Sequence, residues 1–151
     1  MFRRIAIWVA ITMIAACTTL PIDEAPPSFK FGLLEGATLT DLKVSVETTD
    51  IPARLGTPLA YYGFHVDLPK MEPYSLQTIV FLPAAPTQVR GTLVSKPQDY
   101  ASGLKSEIKA VRGPIVKGYG FDSGDPLGQY RIHILVNGKV WKEIGFNVRP
   151  E

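Results

Sequence analysis

Along the last third of the chain, apolar and polar residues exchange places at every second position. Tyr130, Ile132, Ile134 and Val136 alternate with Arg131, His133 and Leu135, and beyond Asn137-Gly138 the rhythm resumes with Ile144, Phe146 and Val148. A period of two sends alternate side chains to opposite faces of a strand. Asn-Gly tolerates the positive φ that a type I′ turn needs, so the segment is expected to be a β-hairpin. A second stripe runs through Ala60, Tyr62, Phe64, Val66 and Leu68, with Tyr61, His65 and Asp67 on the other face. A shorter one sets Leu42, Val44 and Val46 against Lys43, Ser45 and Glu47. "YSLQTIVFL" (74–82), closed by Pro83, "VRGTLVS" (89–95) and "PIVKGYGF" (114–121) are further strand candidates. Asp125-Pro126-Leu127-Gly128 reads as the tight turn that delivers the chain into the penultimate strand. Only "DYASGLKSEIKAVR" (99–112) has spacing for a helical turn or two, and Gly103 weakens it.

About seven short strands with frequent turn residues and a closing hairpin predict an all-β domain, an immunoglobulin-like antiparallel β-sandwich. A small closed β-barrel is the runner-up, because the same alternation would serve it. The Cys…Trp…Cys set of disulfide-type immunoglobulin domains is missing. The length of 151 residues suits one domain, and 13 Gly with 13 Pro favour many turns over long helices.

The apolar residues at the start do not belong to that core. Met1–Arg4 carries two arginines, and Ile5–Ile14 is apolar apart from Thr12. The run is shorter than the roughly 20 residues that span a bilayer and has the layout of a signal peptide. Cys17, the single cysteine, follows Ala15-Ala16. Ile14-Ala15-Ala16-Cys17 resembles the lipobox of bacterial lipoproteins, an aliphatic residue and two small ones before an obligatory cysteine. The resemblance implies a diacylglycerol on the Cys17 thiol, removal of residues 1–16, acylation of the new amino terminus, and a membrane-lipid partner through Cys17. Thr18, rather than Asp, after the cysteine implies the outer membrane, facing the periplasm, in a Gram-negative cell. The alternative is an ordinary signal peptide cleaved near Ala16, with Cys17 incidental.

The expected organisation is thus a signal peptide (1–16), an acylated cysteine with a tether (17–28), and one β domain (29–151). "TTLPIDEAPPS" has no periodicity and three prolines, which bias it toward an extended polyproline conformation. Removal of Arg3 and Arg4 lowers the 16 Lys and Arg to 14, matching the 14 Asp and Glu. With basic residues scattered singly, no surface for nucleic acid is expected.

Three stretches carry a second resemblance: "TTDIPARLGTPLAYYGFHV" (48–66), "IVFLPAAPTQVRG" (79–91) and "GYGFDSGDPLGQYRIHILVNGKVWKEIGFNV" (118–148). Together they are similar to a bacterial family of domains of unknown function found in exported proteins. That family tends to run from an IPA-x-x-G stretch into an aromatic-rich strand and to close on a Phe-x-Val strand. Leu127 and Tyr130 stand near places where the family usually has tryptophan. The resemblance implies a compact β domain outside the cytoplasm and carries no catalytic residues.

Candidate chemistry is sparse. The zinc-protease, C-x-x-C, nucleophile-elbow and P-loop motifs are missing, and no cofactor is expected. The glycines of "GYGFDSG" fail the dinucleotide spacing. Asp122 and Asp125 offer two oxygen ligands where calcium takes six to eight, so turn capping is the plainer reading. His65 and His133 would need to meet across strands, with Asp67, to bind a metal or activate a nucleophile. Tyr61, Tyr62 and Tyr74 could form an aromatic platform, although alternation explains Tyr62 as core. Trp141 is either a cross-strand packing partner or an interface anchor. The favoured expectation is a non-enzymatic, lipid-anchored module for an envelope protein or polymer, with Trp141, Tyr61 and His65 as interaction candidates. A binder of a small apolar or lipid ligand is the alternative, and a hydrolase or metalloenzyme on His65 and His133 a second one.

Overall fold

A computed structural model describes residues 26–56, 60–89 and 93–151. The strands are β1 (Ser28–Glu35), β2 (Lys43–Glu47), β3 (Asp50–Ala53), β4 (Tyr62–Asp67), β5 (Tyr74–Phe81), β6 (Leu104–Lys105), β7 (Lys109–Val111), β8 (Ile115–Tyr119), β9 (Gly128–Val136) and β10 (Lys139–Pro150). They form two sheets. One has four strands in the order β2-β1-β4-β8, and the other has six in the order β3-β10-β9-β5-β6, with β7 also pairing β5. All pairings are antiparallel except β3 with β10. The sheets face each other as an open sandwich, so the expected sandwich is found and the closed barrel is not.

The alternation seen in the sequence is the burial pattern of the inner faces. Tyr62, Phe64, Val66 and Leu68 point inward from one sheet, and Ile132, Ile134, Phe146 and Val148 from the other. Phe31 and Tyr62 meet Phe146 across the gap, with ring centroids 5.1 and 5.4 Å apart, a favourable range for aromatic pairs. The hairpin turn is as expected, with Asn137 at φ 50° and Gly138 at φ 76°. Its tip is also fixed from outside: Ser75 N–H donates to Asn137 Oδ1 at 2.9 Å, and Asn137 N–H donates to the Ser75 carbonyl at 2.9 Å.

Four expectations shift. β2 is an edge strand, so Val46 stays 51% exposed despite its alternation with polar neighbours. The tight turn before β9 lies three residues earlier, at 122–125, closed by Asp125 N–H donating to the Asp122 carbonyl, and Pro126-Leu127 links it to β9. The helical turn is a 3-10 turn at Pro97–Ala101, and the remainder of 99–112 carries the short β6 and β7 instead of a helix. In 89–95 the described part contributes a single bridge, Leu93 with Ser106.

The two ends of the sandwich differ. β1 starts opposite the end of β4, with Ser28 beside Asp67, and lies at the same end as the β9–β10 turn, where Phe29 packs edge-on against Trp141 at 5.8 Å. At the opposite end β4 and β9 begin while β5 and β8 finish.

Candidate functional site

That second end holds a cleft of about 330 Å³ between the sheets. Its wall is aromatic because each contributing strand brings a ring to the inner face at its terminal position. Tyr62 opens β4, Tyr119 closes β8, Phe121 follows it, and Tyr130 lies near the start of β9. The Tyr62 ring is stacked between its neighbours, 5.5 Å from Tyr119 and 4.9 Å from Phe121. Val80 of β5, Leu104 of β6, and Leu82, Pro86, Val89 and Leu93 from the chain between them add apolar lining.

Hydrogen bonds hold the rings. Tyr119 OH donates across the sheet gap to Thr78 Oγ1 at 3.0 Å, and Tyr130 OH donates to the Pro126 carbonyl at 2.7 Å. Burial raises the pKa of Tyr62, Tyr119 and Tyr130, so all three hydroxyls stay protonated at neutral pH. Thr78 is anchored in turn: its N–H donates to Ser106 Oγ and its carbonyl accepts the Ser106 N–H.

At the rim, Asp122 and Asp125 bring carboxylates to the cleft. Asp125 Oδ2 accepts the Asp122 N–H at 2.8 Å, which makes Asp125 the cap of its own turn. Desolvation raises its pKa, partly opposed by that hydrogen bond. A Cβ at Gly118 would overlap Ala60 and Leu34, and one at Gly63 would overlap the β8 backbone at Lys117. The glycines let β8 and the chain before β4 close on this end of the sheet.

The residues singled out from the sequence lie elsewhere. Cys17, the signal segment and most of the tether fall outside the described residues. His65 is on the outer face of the four-stranded sheet and His133 on that of the six-stranded sheet, so the two form no joint site. His133 belongs to a surface group. Its ring lies 4.8 Å from Phe81, and Nε2 is 2.9 Å from Glu143 Oε2 though out of line for a hydrogen bond, while Arg131 stacks on Phe81 at 4.5 Å. Tyr61 is half-buried beneath the Arg54 guanidinium at 5.4 Å. Tyr74 is buried at the far end, so no platform joins it to Tyr61 and Tyr62. Trp141 is half-buried as the extra residue of a β-bulge, where the register shifts between Val140 and Lys142. Among the described residues no cluster of three or more His, Cys, Asp or Glu side chains is placed to hold a metal ion. The sequence reading missed the cleft. Its one visible sign was the density of aromatic residues in 119–130 and 61–62.

Two facing sheets with aromatic rings at one end define a β-sandwich domain. The sequence matches the PM0630 beta sandwich domain family over residues 29–149, and the chain belongs to that family. Among solved structures, an immunoglobulin-like protein from Pseudomonas aeruginosa is similar at 17% identity, covering 84% of this chain and 99% of its own, with a TM-score of 0.49. Comparison with curated proteins gives no match.

Proposed function

We propose that the protein is a lipid-anchored, non-enzymatic module of the bacterial envelope, held by Cys17 and presenting its β-sandwich to an envelope protein or polymer from the periplasmic face of the outer membrane. The observation that carries this reading is the Ile14-Ala15-Ala16-Cys17 run directly before a family β-sandwich. Two or more acyl chains hold a protein stably at a bilayer where one holds it reversibly. Thr18–Pro27, extended at about 3.1 Å per residue, would reach about 31 Å. The direction of entry supports the same arrangement: the chain enters the sandwich at the Phe29–Trp141 end, opposite the aromatic cleft. An anchored domain would therefore turn the cleft away from the bilayer. The cleft favours a second reading, capture of a small ligand, since about 330 Å³ falls within the range of small-molecule pockets, roughly 300–1,000 Å³.

Metabolic labelling with a fatty-acid probe tests the anchor: the wild type should be labelled and Cys17→Ser should not. Equal labelling of both would remove the lipid anchor. Crosslinking in native envelopes, with Cys17→Ala as the unanchored control, tests partner choice, and an identical partner set for both forms would make the anchor irrelevant to it.

A further inference from the structure

We propose that the Phe29–Trp141 end of the sandwich docks on an anionic phospholipid bilayer. The inference rests on the envelope-anchor reading and adds the face that meets the lipid. The tip of the β9–β10 hairpin reads Lys139-Val140-Trp141-Lys142, an apolar pair between two cations. Val140 is 56% exposed. Trp141, the bulge residue, packs edge-on against Phe29, and its indole N–H has no acceptor among the described residues. A ring with one apolar flank and a free donor suits the boundary between acyl chains and headgroups, where tryptophan is enriched.

The neighbouring loops extend the same pattern. Asn137 and Ser75 tie the turn to the start of β5, and just before β5 the 3-10 turn Pro69–Met71 carries exposed Lys70 and Met71. Tyr74 pairs with Val111, which brings the exposed Arg112 to this end. Lys70, Arg112, Lys139 and Lys142 form no ion pair among the described residues, although the Lys142 ammonium lies 5.2 Å over the Phe29 ring. Asp67 and Glu72 are the acids of this end among the described residues, and Asp23 and Glu24 precede it in the chain. Beside an anionic surface each lysine or arginine raises partitioning about fivefold, and its stem lies along apolar neighbours while the charge stays in water.

The opposite end also exposes apolar residues, Leu39, Leu55 and Leu127. Its described loops, however, carry Asp41, Asp99, Asp122 and Asp125 against Arg54 and Lys96, and Arg54 is paired with Glu151 at 2.8 Å. Charge therefore repels an anionic surface from the cleft end and attracts it to the other. The chain enters the first strand at that other end, at Ser28, so an acyl anchor would hold the cations and the apolar tip within about 31 Å of the lipid.

The full chain, purified from envelopes and reconstituted in nanodiscs with a gadolinium-chelating lipid that broadens nearby amide resonances, tests the proposal. On discs of phosphatidylcholine with about one-quarter phosphatidylglycerol, the amides of Met71, Arg112, Val140 and Trp141 should broaden on the order of fivefold more than those of Leu39, Leu55 and Leu127. On phosphatidylcholine alone the contrast should shrink to what a loose tether gives. Lys139→Glu combined with Lys142→Glu should shrink it likewise on anionic discs, because the loss of two cations weakens docking about 25-fold or more. An unchanged amide spectrum away from the hairpin checks the variant's fold, and Lys70→Glu with Arg112→Glu serves if it does not fold. Equal broadening of the two ends on anionic discs overturns the docking and leaves the anchor standing. The same contrast on both disc types, or an undiminished contrast in the variant, does so too. A wild type that elutes apart from the discs overturns docking and anchor together.

Discussion

The hydrogen bond from Tyr119 to Thr78 crosses the space between the two sheets, and its removal one partner at a time should show how it holds the cleft wall. Thr78 is fully buried, and its Oγ1 receives the Tyr119 hydroxyl at 3.0 Å. Thr78→Val keeps the shape of the side chain and leaves that hydroxyl unpaired in a buried setting, at a cost of about 1–3 kcal/mol. Tyr119→Phe leaves the Thr78 oxygen without its donor, for a loss in the lower part of the same range. The double variant removes both polar groups, so its loss should fall well below the sum of the single losses, with a coupling of about 1–2 kcal/mol. Urea denaturation of the four proteins gives the cycle, and thermal melting should shift by about 4 °C per kcal/mol. Strictly additive losses, or single losses under about 0.5 kcal/mol, would refute the claim that this bond ties the sheets.

Two further outcomes follow from the same end of the fold. Gly63→Ala should destabilise by about 2–4 kcal/mol, because its Cβ would overlap the Lys117 carbonyl, which is backbone and yields little; Gly145→Ala, with open space around it, should stay within about 0.5 kcal/mol. Comparable melting of the two variants would show that β4 and β8 do not need the close approach. Lys117, on the edge strand β8, has its pKa lowered to about 8 by burial and by repulsion from Lys109, with Glu107 opposing. The unfolded chain keeps that proton to about 10.4, so stability should rise between pH 8 and 9.5. Above about 10 the buried tyrosines, whose pKa values are raised, reverse the slope. Lys117→Met should flatten the rise and add on the order of 1 kcal/mol at pH 7, discounted for its partial exposure. Identical urea stability profiles over this window would refute the burial argument.

Much of the fold was legible because its signals are local. A period of two in 130–136 and 60–68 named the inward residues, and Asn137-Gly138 fixed a turn, since each needs only neighbours in the chain. The Ile14–Cys17 run carries its lipoprotein resemblance in four consecutive residues. What the sequence alone could not supply was pairing over long separations. The same alternation that buries Tyr62 leaves Val46 exposed, because only the sheet order makes β2 an edge. β3 runs parallel to β10 through residues almost a hundred positions apart, with Arg149 Nε donating to Asp50 Oδ2 at 2.8 Å. His65 and His133 looked alike as polar-face residues, and tertiary structure put them on opposite outer faces. The cleft is the clearest case: Tyr62, Tyr119, Phe121 and Tyr130 come from separate strands and a loop, and no periodicity records that their rings converge. Strand propensity is a property of neighbours along the chain, whereas a cavity depends on which strands face each other and where they end.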